Sequence, residues 1–70
     1  MTDNTSKQIA KNLKRLRRQR NLTQEELARK SKIATNTLAR LERAEHTAST
    51  NTLEKLAKAL KVKVSDILGA

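Results

Sequence analysis

The sequence predicts an all-α fold, a compact bundle of five helices. Three observations predict it. Apolar residues recur at steps of three and four along several stretches, the repeat of a helix with one buried face. Residues suited to capping helix starts stand just ahead of those stretches. The 70 residues include no Phe, Trp or Tyr, so only aliphatic side chains are left to fill a core. A chain of this length makes one domain, taken here as residues 7–70 behind a short arm at 1–6. So small a domain buries only about 60% of its unfolded surface, which keeps stability modest.

The arm, MTDNTS, is polar and is expected to be flexible. Asp3, and the lack of any Lys or Arg before Lys7, argue against its touching a polyanion. Ser6 is a cap for a first helix at about 7–19. Ile9, Leu13 and Leu16 recur there at four and three and form an inward stripe. Lys7, Lys11, Lys14, Arg15, Arg17, Arg18 and Arg20 crowd the rest. A cationic amphipathic helix can lie on an acidic membrane, but the absence of Trp and Phe and the narrow stripe argue against that. The helix fits better inside the bundle, its cations adding long-range attraction to phosphates. Asn21 stands where a left-handed residue ends a helix.

Residues 22–43, LTQEELARKSKIATNTLARLER, read as two short helices joined by a tight turn. Thr23 and Glu26 have the spacing of a capping box, and Leu22 and Leu27 that of a hydrophobic staple across it. Glu25 and Glu26 favour the positive end of the helix dipole. Leu27 and Ala28 turn inward. Ser31-Lys32-Ile33 breaks the period and inserts Ile33 between the helices. The second helix, at about 34–43, keeps Ala34, Leu38 and Leu41 on one side. Asn36, Arg40 and Arg43 fall on the other, so an amide and two guanidiniums oppose an aliphatic face. Asn can pair with adenine through two bonds, and Arg with guanine in the same way. The plain alternative is that Arg40 and Arg43 are solvated surface cations, the usual fate of an exposed Arg.

Residues 44–48 form a loop. Its His46 is the sole histidine, and without a second His or a Cys it suits neither a metal nor a catalytic dyad. Ser49 caps a helix running to about Lys61, with Leu53, Leu56, Ala57 and Leu60 inward and Glu54, Lys55 and Lys58 facing water. Val62 and Val64 flank Lys63 in a short extended link. Ser65 caps a last turn, 66–68, before Gly69. Ile67 and Leu68 have two readings, as the bottom of the core or as half of a contact with a second copy.

The formal net charge is +9, which in so small a chain favours a polyanionic partner. Single-strand and RNA modules stack bases on aromatic rings, so their absence leaves duplex DNA as the better partner. There is no cysteine, hence no disulfide and no thiolate ligand, and neither a metal nor a cofactor is expected. No apolar run approaches the ~20 residues of a membrane span. The polar N-terminus is not a secretion signal. No nucleophile–base pair, ligand cluster or glycine-rich phosphate loop points to an enzyme.

LTQEELA, the apolar pair Ile33 and Leu38, and the run Leu41-Glu42-Arg43 resemble the helix-turn-helix of the lambda repressor and Cro family. The resemblance extends from about Ile9 to Leu68. It implies a five-helix DNA-binding domain of that type and a transcription regulator, most simply a repressor. Thr35, Asn36 and Arg40 would then read the major groove, with Ala39 beside them against a thymine methyl. Gln24, Arg43, Thr47, Thr50 and Asn51 would meet the sugar-phosphate backbone. Arg17 and Glu42 would form a partly buried ion pair, structural rather than DNA-contacting. Val64 and Leu68 would be the candidates for a homodimer contact. Two recognition helices one turn apart, about 34 Å, would then match an inverted repeat. A cytoplasmic, nucleoid-associated protein is implied.

Four positions depart from common family choices. Lys32 and Ala44 stand where Gly is frequent, Ala34 where Ser or Thr usually caps, and Ala48 where Pro is frequent. A non-Gly residue at positive φ is costly, so Lys32 strains or reshapes the turn. The missing cap at Ala34 costs about 1 kcal/mol unless Thr35 caps one residue later, which would engage its hydroxyl. A second function class is the antitoxin of a toxin–antitoxin pair, which would bind a protein as well as its operator. Such proteins usually add a segment to hold the toxin, and 70 residues leave little room for one.

Overall fold

A computed structural model describes residues 2–69, with side chains described over 5–69. Five helices follow one another: α1 (Thr2–Gln19), α2 (Gln24–Ser31), α3 (Thr35–Glu42), α4 (Thr50–Leu60) and α5 (Val64–Leu68). No strand occurs among the described residues. α1 packs against α3 and α5, α2 against α3 and α4, and α4 against α5. The core is aliphatic. Leu13, Leu27, Leu38, Leu41, Leu56, Leu60 and Ile67 are fully buried, one or two from each helix. Leu22, Ile33, Ala48, Val62 and Val64 pack around them from the links and helix ends. Ile67 therefore takes the core reading, and Leu68 is left 39% exposed.

The start of α2 follows its sequence closely. The Thr23 hydroxyl accepts from the Glu26 N–H at 3.0 Å, and the Glu26 carboxylate accepts from the Thr23 N–H at 2.8 Å. These two bonds satisfy two N–H groups that a helix start otherwise leaves open. The backbone bond from Thr23, then its hydroxyl contact, hold the Glu26 carboxyl below the usual carboxylate range. Ser49 caps α4 with the first of these two bonds alone, its hydroxyl accepting from the Thr52 N–H at 3.2 Å.

Several boundaries differ from the sequence reading. α1 is helical from Thr2, so Ser6 lies inside the helix rather than at a cap, and residues 2–6 of the expected arm have helical backbone; Met1 lies outside the described residues. With no proline in the chain and the one glycine at position 69, nothing in the backbone obliges α1 to begin at Ser6. Ala34 is not on the inward face of α3. It is the exposed residue ahead of the first turn, at φ −70° and ψ 142°, with no side-chain cap. Its β-region backbone takes it off the helical wheel on which Leu38 and Leu41 lie. Val64 is the first residue of α5, not part of an extended link, and Lys63, not Ser65, precedes that helix. Asp66 explains the shift: its carboxylate reaches back to accept from the Lys63 N–H at 3.0 Å.

The helices end on left-handed residues. Asn21, Lys32, Ala44 and Lys61 have φ between 55° and 60°. Lys32 thus keeps the turn geometry that favours Gly rather than reshaping it. Its N–H donates to the Arg29 carbonyl at 3.1 Å, and the Ile33 N–H to the Ala28 carbonyl at 3.0 Å. That pair of bonds closes α2 and swings Ile33 between α2 and α3.

Candidate nucleic-acid interface

α3 divides as its spacing requires. Leu38 and Leu41 are buried, while Thr35, Asn36 and Arg40 are exposed and Ala39 is half-buried between them. Thr35 does not take over the cap that Ala34 lacks; it is the first residue of the helix. Its hydroxyl, the Asn36 amide and the Arg40 guanidinium hold no partner among the described side chains. The outer face therefore offers donors and acceptors that the fold does not consume.

The end of α3 is fixed by a polar junction. Arg17 of α1 donates to Glu42 twice, from Nε at 2.8 Å and from Nη2 at 3.0 Å. Its Nη1 donates to the Leu22 carbonyl at 2.9 Å. The Glu42 side chain is 1% exposed and that of Arg17 12%. Gln24, the first residue of α2, adds a third donor to Glu42, from Nε2 at 2.9 Å. A buried carboxylate needs this degree of compensation, because the cost of its desolvation is otherwise unmet. One carboxylate thus ties α3 to α1 and to the start of α2, which sets the direction of the Asn36–Arg40 face.

The resemblance places Gln24 at the DNA backbone. It is half-buried, and its amide is turned to Glu42, leaving one N–H for an outside oxygen. Arg43 is exposed but engaged, donating to both carboxylate oxygens of Glu45 at 3.1 and 3.2 Å. Both side chains are more than half exposed (58% and 54%), so the pair adds little to stability. Thr47, Thr50 and Asn51 are exposed along the loop and at the start of α4. Thr50 and Asn51 open that helix, where backbone N–H groups lack helical acceptors. Val64 is half-buried one turn before Leu68, so the two candidates for a contact between copies share one side of α5.

Three features escaped the sequence reading: the Gln24–Glu42 bond, the Arg43–Glu45 pair and a buried asparagine. Asn12 donates from Nδ2 to the Ile67 carbonyl at 2.8 Å, joining α1 to α5. Its place beside Leu16 and Ile9 on the wheel is the available signal, since a polar residue at the edge of a buried stripe must find a partner. Among the described residues, no group of three or more His, Cys, Asp or Glu could hold a metal ion. No helix among them is long and apolar enough to cross a membrane.

Residues 13–67 match the helix-turn-helix family HTH_3. The chain is 39% identical over 61 residues to an immunity repressor protein of Bacillus phage phi105, covering 87% of this chain and 42% of that protein. It therefore spans less than half the length of that relative. An HTH_3 family transcriptional regulator from Vibrio cholerae superposes with a TM-score of 0.93 at 29% identity, over 99% of this chain and 39% of that one. The restriction-modification controller protein C.AhdI from Aeromonas hydrophila superposes with a TM-score of 0.86 at 27% identity, over 89% of this chain and 94% of that one.

Proposed function

The chain belongs to the helix-turn-helix family, and on that premise we propose that it binds double-stranded DNA sequence-specifically and regulates transcription, as a repressor. The observation that carries this reading is the uncommitted polar face of α3, Thr35, Asn36 and Arg40, opposite its buried leucines. Those side chains match the hydrogen-bonding edges of bases in the major groove, and Ala39 supplies a small apolar surface for a thymine methyl. Arg43, Thr47, Thr50 and Asn51, with the remaining N–H of Gln24, contact phosphates and set the register. The net charge of +9 supplies the sequence-independent part of the attraction. The repressor named among its relatives supports the direction of control. Such a protein works in the cytoplasm, on the nucleoid.

One such domain covers a half-site. Two copies meeting through Leu68 and Val64 of α5 would read an inverted repeat with half-sites about one helical turn apart. The exposure of Leu68, the one large apolar side chain so exposed among the described residues, supports this. Selection of bound duplexes from a random pool tests the whole reading. A recovered inverted repeat is the expected result. A pool that stays random rules out sequence-specific control.

A further inference from the structure

We propose that Lys7, Lys11 and Lys14 on α1 form, beside Arg43, a second phosphate-contacting strip that carries the duplex footprint past the recognition helix. This inference deepens the DNA-binding reading and rests on it. The three lysines stand at spacings of four and three, so they share one face of α1. Seven residues of helix span about 10 Å, a length from which three long side chains can reach two or three phosphates of a duplex. The structure brings that face to the end of α3: one shallow groove is lined by all three lysines together with Arg43, Ala44 and Glu45. Lys7 and Lys11 are exposed and Lys14 is half-buried.

The acids that border the groove are already engaged elsewhere. Glu42, which also borders the groove, is buried and holds Arg17 and Gln24. Glu45 is engaged by Arg43. None of the three lysines pairs with an acid among the described side chains. The strip therefore sets three cations without an acidic partner among the described side chains beside the Arg43–Glu45 pair that follows α3. Lys55 and Lys58 of α4 and Lys61 at its end are also exposed, but they border separate grooves on the side where α4 meets α2. They are the natural control.

The test compares the wild-type chain with Lys7→Gln/Lys11→Gln/Lys14→Gln and with Lys55→Gln/Lys58→Gln/Lys61→Gln, which lose equal charge. Duplex affinity is measured against salt on the selected site and on a random duplex, after thermal melts confirm that all three proteins are folded. Each lost phosphate contact makes the slope of log K against log salt shallower by about 0.9, so the α1 variant is expected to be shallower by about 2 to 3. Its base preference should be unchanged, its hydroxyl-radical footprint shorter, and the α4 variant close to wild type. An unchanged slope in the α1 variant, or an equal loss in both variants, overturns the strip. The slope can be read on any duplex, so a wild-type chain that binds without base preference refutes the sequence-specific reading and leaves the strip to be decided by its own comparison. A wild-type chain that binds no duplex refutes both.

Discussion

Arg17 and Glu42 stand 25 residues apart and meet through two hydrogen bonds of 2.8 and 3.0 Å, with the carboxylate almost wholly out of water. Glu42→Ala leaves the Arg17 guanidinium largely buried without its counter-charge. Breaking such a pair costs about 3 kcal/mol or more. In a domain of this size that lowers the melting temperature by more than about 10 °C. A thermal melt within a few degrees of wild type would mean that the junction does not hold α3.

Arg40→Ala removes one side chain from the outer face of α3 and should relax the preference at one or two base pairs by about 1–3 kcal/mol. Asn36→Ala should do the same at a neighbouring position. Neither should shift the melting temperature by more than a degree or two, because both side chains are exposed and unpaired. Preference profiles from a library of single-base variants check this; identical profiles for Arg40→Ala and wild type would mean that Arg40 reads no base.

Two backbone positions leave room for gain. Ala34→Ser supplies the side-chain acceptor that α3 lacks and should stabilise by about 1 kcal/mol. Ala44→Gly relieves a left-handed residue at φ 60° and should add up to about 1 kcal/mol, less the larger entropy that Gly loses on folding. Urea midpoints for the single and double variants check both gains and their additivity.

The capping box of α2 makes a prediction about pH. The folded state lowers the pKa of Glu26, so its contribution to stability is complete above the ordinary carboxylate range. It is lost as the pH falls through the lowered value in the folded protein. Glu26→Gln removes the titrating group. The wild-type advantage in urea midpoint over this variant should therefore be largest near neutrality and shrink on acidification. An advantage that is flat with pH would count against the ionised box.

Leu68→Lys places a charge on the apolar end of α5. It should weaken self-association in sedimentation runs and lower affinity for a two-half-site duplex, with single half-site binding and the melting curve of dilute protein unchanged. If both proteins sediment alike, Leu68 is not part of the contact.

The legible parts of this chain were those whose causes lie within a few residues. The box at Thr23 and Glu26, the buried leucines of α3 and the cap at Ser49 each follow from neighbours no more than four positions away. Arg17 and Glu42 were paired through a family resemblance, since nothing local links them. The bond from Asn12 to Ile67 spans 55 residues, so the wheel can set Asn12 beside the apolar stripe but cannot name the carbonyl that it meets. Gln24 reads as a free first-turn amide until the fold brings Glu42 to it. Lys63 carries no capping side chain, so the start of α5 was visible only through the reach of Asp66. The outer face of α3 is legible as chemistry, while the base order proposed for it would depend on a docking angle that no local pattern encodes.

Four of the helix ends close on a residue other than glycine in a left-handed turn. At roughly 1–2 kcal/mol for each of Lys32, Ala44 and Lys61, and less for Asn21, these joints together hold back an amount comparable to the lower end of a small domain's net stability. A bound duplex would add to that margin by mass action, since only the folded form would bind it. On the proposed reading, copies seated on DNA would therefore outlast idle ones under proteolysis, and the duplex would act as the brace that these joints leave wanting.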